Sequence, residues 1–166
     1  AMVKAFSYGS GSFEIANLLQ FHHVDYLAVA YTDEGVELRK AGITLPIMVM
    51  NAEEVNFDML VAYNLEPELF SLGILNNFEA YLKQAGITHF PVHLKLDTGM
   101  HRLGFEEKDI DAWCNALVAT QVFKVQSVFS HLAASDSARH DDFTKAQAAS
   151  FLKNSKKIKS IIGYSF

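Results

Sequence analysis

Apolar and polar positions along the chain alternate between two periods. Short segments rich in β-branched or aromatic residues are each followed by a stretch with helical spacing. The first segment covers residues 1–4. A loop with Gly9 and Gly11 follows, then a helix over residues 13–22 in which Ile15, Leu18 and Leu19 share a face and Ser12 is the N-cap. Residues 26–31 read as the next strand, leading into a helix from about 33 to 41 with Thr32 at its start and Gly42 at its end. Residues 47–50 precede a helix around 53–63, and a weaker strand at 68–71 precedes a helix near 76–85. Residues 92–97 form the fifth strand, followed by a loop and a helix near 108–120 whose Ile110, Trp113, Cys114 and Leu117 make an apolar stripe. Residues 125–132 are the sixth strand. The last helix spans about 142–162, with Ala148, Phe151, Ser155, Ile158 and Ile162 on one face.

Strands separated by helices in this way predict βαβ units and a parallel sheet. Ile47-Met48-Val49-Met50 is apolar throughout, as a strand covered on both faces should be. The chain holds about six βα units, with no linker, repeat or low-complexity segment. Two α/β architectures fit: a doubly wound open sheet and a partial (β/α)8 TIM barrel. Gly9-Ser10-Gly11 is no dinucleotide fingerprint, because Glu14 stands where the third glycine belongs and the next strand ends Val29-Ala30-Tyr31 with no acidic group for a ribose. The chain opens within an extended segment and closes on Ser160-Ile161-Ile162-Gly163-Tyr164, a helix end that would feed a further element. An internal piece of a longer protein is therefore expected, with a native short protein as the alternative.

Composition narrows the functions. Of 166 residues 50% are apolar, enough for a sizeable core. A net charge of -5 without a basic block argues against nucleic acid as a partner. One cysteine, Cys114, permits no disulfide within the chain and favours a reducing, cytoplasmic setting. No apolar run is long enough to span a membrane, and no signal peptide is visible.

Chemistry in parallel α/β folds gathers beyond the carboxyl ends of strands, and three ends carry unusual polar groups. Lys4 ends the first segment; a desolvated lysine there suits Schiff-base chemistry, while a snorkelling lysine at a frayed terminus is the alternative. Lys95 and Asp97 end the fifth strand, with His93 on the same face, and Thr98-Gly99-Met100-His101-Arg102-Leu103-Gly104 follows. Arg102, in a glycine-bounded loop, could hold an oxygen acceptor or simply pair with Asp97. His131 ends the sixth strand after Ser130 and reads either as an orienting or acid–base group or as a structural histidine. His22-His23 reads as a solvated helix end and Cys114 as core. His140-Asp141-Asp142 is a helix start, with Asp141 as N-cap, and no metal site is expected.

These residues also resemble a known family. Ala1-Met2-Val3-Lys4-Ala5-Phe6-Ser7-Tyr8-Gly9-Ser10-Gly11 resembles the pyridoxal-phosphate lysine signature of alanine racemases. The run His93–Gly104, written His93-Leu94-Lys95-Leu96-Asp97-Thr98-Gly99-Met100-His101-Arg102-Leu103-Gly104, resembles the family's second signature, and Ser130-His131 with Ala133-Ala134-Ser135-Asp136 resembles a third. The segments follow in family order over essentially the whole chain. The resemblance implies the amino-terminal barrel of a pyridoxal 5'-phosphate (PLP) enzyme that interconverts L- and D-alanine for peptidoglycan, with the carboxyl-terminal β domain lying outside this chain. It implies that Lys4 condenses with the cofactor and then acts as a base, and that Tyr8 binds the phosphate. Arg102 would contact the cofactor's phenolic oxygen and the substrate carboxylate, with the Met100 backbone beside that carboxylate. Lys95 matches a lysine often carbamylated in the family. His131 would support an arginine at the pyridine nitrogen. Phe6, Ser7, Ser10 and His101 depart from the commoner residues without touching these roles. A related PLP-barrel enzyme (another racemase, a D-amino-acid aldolase or a decarboxylase) and a non-catalytic fragment are the competing readings. Two unpaired strand edges would make the isolated piece a dimer or larger assembly.

Overall fold

Apolar strands alternating with amphipathic helices form the expected α/β arrangement. The computed structural model describes all of Ala1–Phe166, in two compact units, Ala1–Glu68 and Leu69–Phe166. In the first unit a single turn, α1 (Lys4–Tyr8), is followed by α2 (Ser12–Phe21), β1 (Leu27–Val29), α3 (Thr32–Lys40) and β2 (Ile47–Val49). A 3-10 turn (Glu54–Asn56), α4 (Phe57–Ala62) and β3 (Glu66–Leu69) complete it, the last residue of β3 falling in the second unit. β1 and β2 pair in parallel, Leu27 opposite Ile47 and Val29 opposite Val49, and Met48 of β2 pairs with Glu66 of β3. Leu27, Val29, Ile47, Val49, Leu60 and Leu65 are fully buried between sheet and helices.

The first predicted strand is reduced to one bridge. Met2 pairs with Ala28; the Ala28 amide donates to the Ala1 carbonyl and the Val3 amide to the Ala28 carbonyl, each at 2.8 Å. Lys4 therefore opens a turn rather than ending a strand. The β3 strand begins at Glu66, two residues ahead of expectation, because the sequence Glu-Pro-Glu-Leu hides a segment that is buried throughout. The expected caps also shift by one residue. Gly11, Tyr31 and His140 hold the cap positions, while Ser12, Thr32 and Asp141 are the first helical residues.

The second unit holds α5 (Leu72–Gln84), β4 (Phe90–Lys95), a 3-10 turn (Glu107–Asp109), α6 (Ile110–Thr120), β5 (Phe123–Phe129), another 3-10 turn (Ala138–His140) and α7 (Asp141–Ile162). β4 and β5 are parallel from Phe90 opposite Phe123 to Lys95 opposite Phe129, with a register shift at Val92/His93. Phe78 of α5 packs edge-on to Phe90 at 5.4 Å and against Phe123 at 5.9 Å. On α6 the stripe Ile110, Trp113, Cys114 and Leu117 is buried as predicted, and burial pushes the Cys114 thiol up to about 12, which keeps it protonated and inert. α7 keeps its predicted face and adds two buried polar residues to it. Its buried positions are Gln147, Asn154 and Ile158, and Ala148, Phe151, Ser155 and Ile162 are half-buried.

Candidate functional site

The candidate site residues of the first unit border a strained backbone. Ala5, Phe6, Ser7 and Tyr8 all have left-handed φ values of 50°, 56°, 51° and 55°, and Gly9 follows at 90°. No glycine or asparagine relieves those first four positions, and left-handed L-residues cost roughly 1–2 kcal/mol each. Such a turn persists only where its surroundings over-determine it. Several bonds do so. The Ser7 amide donates to the Val3 carbonyl at 3.2 Å, and the Gly9 and Gly11 amides both reach the Phe6 carbonyl, at 3.0 and 3.1 Å. The Ala5 amide donates to Glu34 Oε1 at 2.7 Å. Lys4 is half-buried and its ammonium enters none of the ion pairs, while the Tyr8 side chain, 68% exposed, is presented to solvent. The sequence signals for Lys4 and Tyr8 therefore converge on one turn.

The second unit presents the glycine-flanked loop. Of the two readings of Arg102, the ion pair with Asp97 does not form. Asp97 Oδ1 instead accepts the amides of Gly99 at 2.9 Å and His101 at 3.1 Å, and Oδ2 lies 3.4 Å from His101 Nδ1. An aspartate side chain reaches amides two and four residues ahead with little entropy loss, which outcompetes a long arginine. Arg102 is left exposed, its guanidinium in none of the ion pairs. The base of the loop is stapled where the Asp97 amide donates to the Phe105 carbonyl at 3.0 Å and the Phe105 amide to the Lys95 carbonyl at 2.8 Å. Lys95 is 6% exposed, with its ammonium 5.7 Å above the Phe129 ring, and buried His93 shares a 2.7 Å hydrogen bond with Ser127.

Burial pushes the Asp97 carboxyl up, but the amides of Gly99 and His101, the His101 charge and the Met100 amide together hold it below the usual carboxylate range. A depressed folded-state value means stability that is present above the unfolded carboxylate value near 4 and is lost as pH falls through the folded one. Asp97→Asn is expected to cost about 1–2 kcal/mol at neutral pH, with the gap to the parent narrowing in acid; urea unfolding at pH 7 and pH 3 reads both. A gap of the same size at both pH values would contradict this role.

His131 lies just past β5 and is exposed, but its carbonyl is tied down. Gln147 Nε2 donates to it at 3.1 Å, while Gln147 Oε1 accepts the Ala133 amide at 3.0 Å. Ser130 Oγ donates to the Leu96 carbonyl at 2.7 Å and lies 2.8 Å from Thr98 Oγ1. Met100 is half-buried within the loop, between Gly99 and His101. The structure thus brings Lys95, Met100, Arg102 and His131 onto neighbouring loops and strand ends of the second unit. Sequence reasoning missed Glu34 and Gln147, both polar residues at helical positions that carry no motif. No cluster of metal-ligating side chains forms, and His140, Asp141 and Asp142 open α7 as surface residues.

The family model for the alanine racemase N-terminal domain matches residues 1–163. The chain belongs to this family. Alanine racemase 1 of Clostridium acetobutylicum is 33% identical over 159 residues, covering 90% of this chain and 39% of the relative. An alanine racemase of Lactobacillus delbrueckii subsp. bulgaricus is 36% identical over 139 residues, covering 82% of this chain and 37% of the relative. Among solved structures, alanine racemase of Clostridium difficile 630 superposes with a TM-score of 0.88 at 33% identity, over 96% of this chain and 42% of that one, and a second structure of it is a complex with cycloserine. The fold of this alanine racemase family member is accordingly a partial (β/α) barrel. The chain spans about two fifths of the length of the curated relatives it matches.

The donor set fits a phosphorylated aldehyde. In the first unit a primary amine, Lys4, outside every ion pair, and an exposed phenol, Tyr8, are groups that an aldehyde and a phosphate would each take up.

Proposed function

We propose that the chain carries the cofactor lysine and part of the substrate-binding apparatus of a PLP-dependent alanine racemase, an isomerase interconverting L- and D-alanine and supplying the D-enantiomer for peptidoglycan. The observation that carries the proposal is Lys4, half-buried and without an ion-pair partner, at the head of a strained turn within the matched family signature. When bound, PLP supplies an aldehyde and a ring that accepts the electron pair left at the substrate Cα. Lys4 takes and returns the Cα proton on one face. Tyr8 donates its hydroxyl to the phosphate. Arg102 would donate to the phenolic oxygen and to the substrate carboxylate, with the Met100 backbone alongside. Lys95, as a carbamate, would turn from cation to anion and orient Arg102, and His131 acts behind these contacts. A related PLP-barrel activity would use the same Lys4 with a different substrate pocket.

Lys4 is the one proton-transfer group proposed here, and it serves one face of the substrate, so one-sided chemistry is expected from the chain. Incubated with PLP and alanine in deuterium oxide, it is expected to exchange the Cα proton faster than free PLP, to lose that excess in Lys4→Ala, and to form D-alanine only at the free-PLP level. Robust conversion of L- to D-alanine would contradict the one-sided reading, and no excess exchange would contradict the role of Lys4. On the same reading the isolated chain self-associates through its open strand edges, as a homodimer or larger assembly. Sedimentation velocity should show species heavier than 18.5 kDa; a stable monomer at micromolar concentration would exclude it.

A further inference from the structure

Glu34, the third residue of α3, gathers three backbone amides on one carboxylate. Oε2 accepts the Ala30 amide at 2.6 Å and the Tyr31 amide at 3.1 Å, where β1 passes into α3. Oε1 accepts the Ala5 amide at 2.7 Å. The first two bonds are what a glutamate at this helical position does when it reaches back to the cap. The third belongs to another segment, 29 residues away, and falls on the peptide that joins Lys4 to the first left-handed residue. The Ala5 amide has no backbone acceptor, so Glu34 alone satisfies it. Because all three donors meet a charged acceptor, the bonds are strong and directional.

We propose that Glu34 is the positioning residue for Lys4: its carboxylate clamps the Lys4–Ala5 peptide to the end of β1 and so fixes the backbone from which the lysine amine is presented to PLP. The inference rests on the assignment of Lys4 as the cofactor lysine. Its chemistry is specific. A carboxylate offers acceptors on both oxygens, whereas the glutamine of Glu34→Gln would turn an NH2 group toward one of the amides. Glu34→Asp keeps the charge and can still serve the amides of its own helix start, but it is one methylene too short to reach Ala5 as well.

The test uses PLP itself with the whole chain. The rate at which PLP becomes fixed to Lys4 by borohydride is followed by peptide mass, alongside hydrogen exchange of the Ala5 amide and thermal unfolding. In Glu34→Asp, Ala5 exchange is expected to rise at least tenfold while Leu27–Val29 stay protected. Fixation at Lys4 should slow on the order of tenfold or more, as a slightly misplaced reacting group does. Glu34→Gln should show the same loss, and Glu37→Gln, on the exposed side of α3, should behave as the parent. Fixation at the parent rate in Glu34→Asp would overturn the inference and leave the role of Lys4 intact. Failure of the parent chain to fix PLP at Lys4 would overturn both.

Discussion

Gly104→Ala is expected to destabilise the second unit by about 3 kcal/mol or more, the sum of a disfavoured backbone conformation and an unrelieved overlap. Gly104 has φ +134°, and a Cβ there would stand 2.5 Å from the Asp97 nitrogen and 2.7 Å from the Leu96 carbonyl carbon. Those atoms are main chain, held by the staple between Asp97 and Phe105, so nothing flexible can yield. For a chain of this size the loss corresponds to a fall in melting temperature of roughly 6–12 °C. Gly9→Ala is the internal control. It also has positive φ, at +90°, but an added Cβ meets nothing within 4 Å, so only the conformational cost of about 1–2 kcal/mol remains. Circular dichroism melts of the two variants side by side decide the matter. Equal shifts would mean that the close approach of Gly104 to the strand end is not rigid.

The Gly104 contact also shows what kind of information the sequence carried. Glycines bounding Thr98–Gly104 marked a loop with special geometry, and the loop is there. Its internal wiring was less legible. Asp97 and Arg102 invite pairing by charge, yet the carboxylate takes the nearby amides, and only the folded loop reveals that they converge. Uniformly apolar strands and the α6 stripe were readable because burial leaves a compositional trace. β3 was displaced because two glutamates and a proline disguise a buried strand, and the face of α7 was incomplete because it also carries buried Gln147 and Asn154. Polar residues that are buried to tie loops together look, in a sequence, like surface.

The turn after Lys4 was the least legible element. The resemblance singles out Lys4 and Tyr8, but four consecutive left-handed residues without glycine have no local propensity to announce them. The turn is imposed from outside, by Glu34 and by the carbonyls of Val3 and Phe6, and those contacts join segments far apart in the chain. Local strain beside Lys4 fits the proposal that this residue is placed for chemistry rather than for stability.

Lys4→Ala is therefore expected to abolish covalent capture of PLP while leaving the fold intact. Lys4 forms no ion pair, so its truncation removes no charge–charge contact. Its melting temperature should stay within the small range of surface substitutions, about 0.5 kcal/mol in stability. Ten other lysines remain in the variant as competitors for non-specific capture, which makes selectivity the informative quantity. The decisive measurement is the position of the borohydride-fixed PLP in a peptide map of the unaltered chain at equimolar cofactor. A single modified site at Lys4, absent from Lys4→Ala, is the outcome required here. Label spread over surface lysines such as Lys153 and Lys157, with Lys4 unmodified, would contradict the assignment of this turn as the cofactor site.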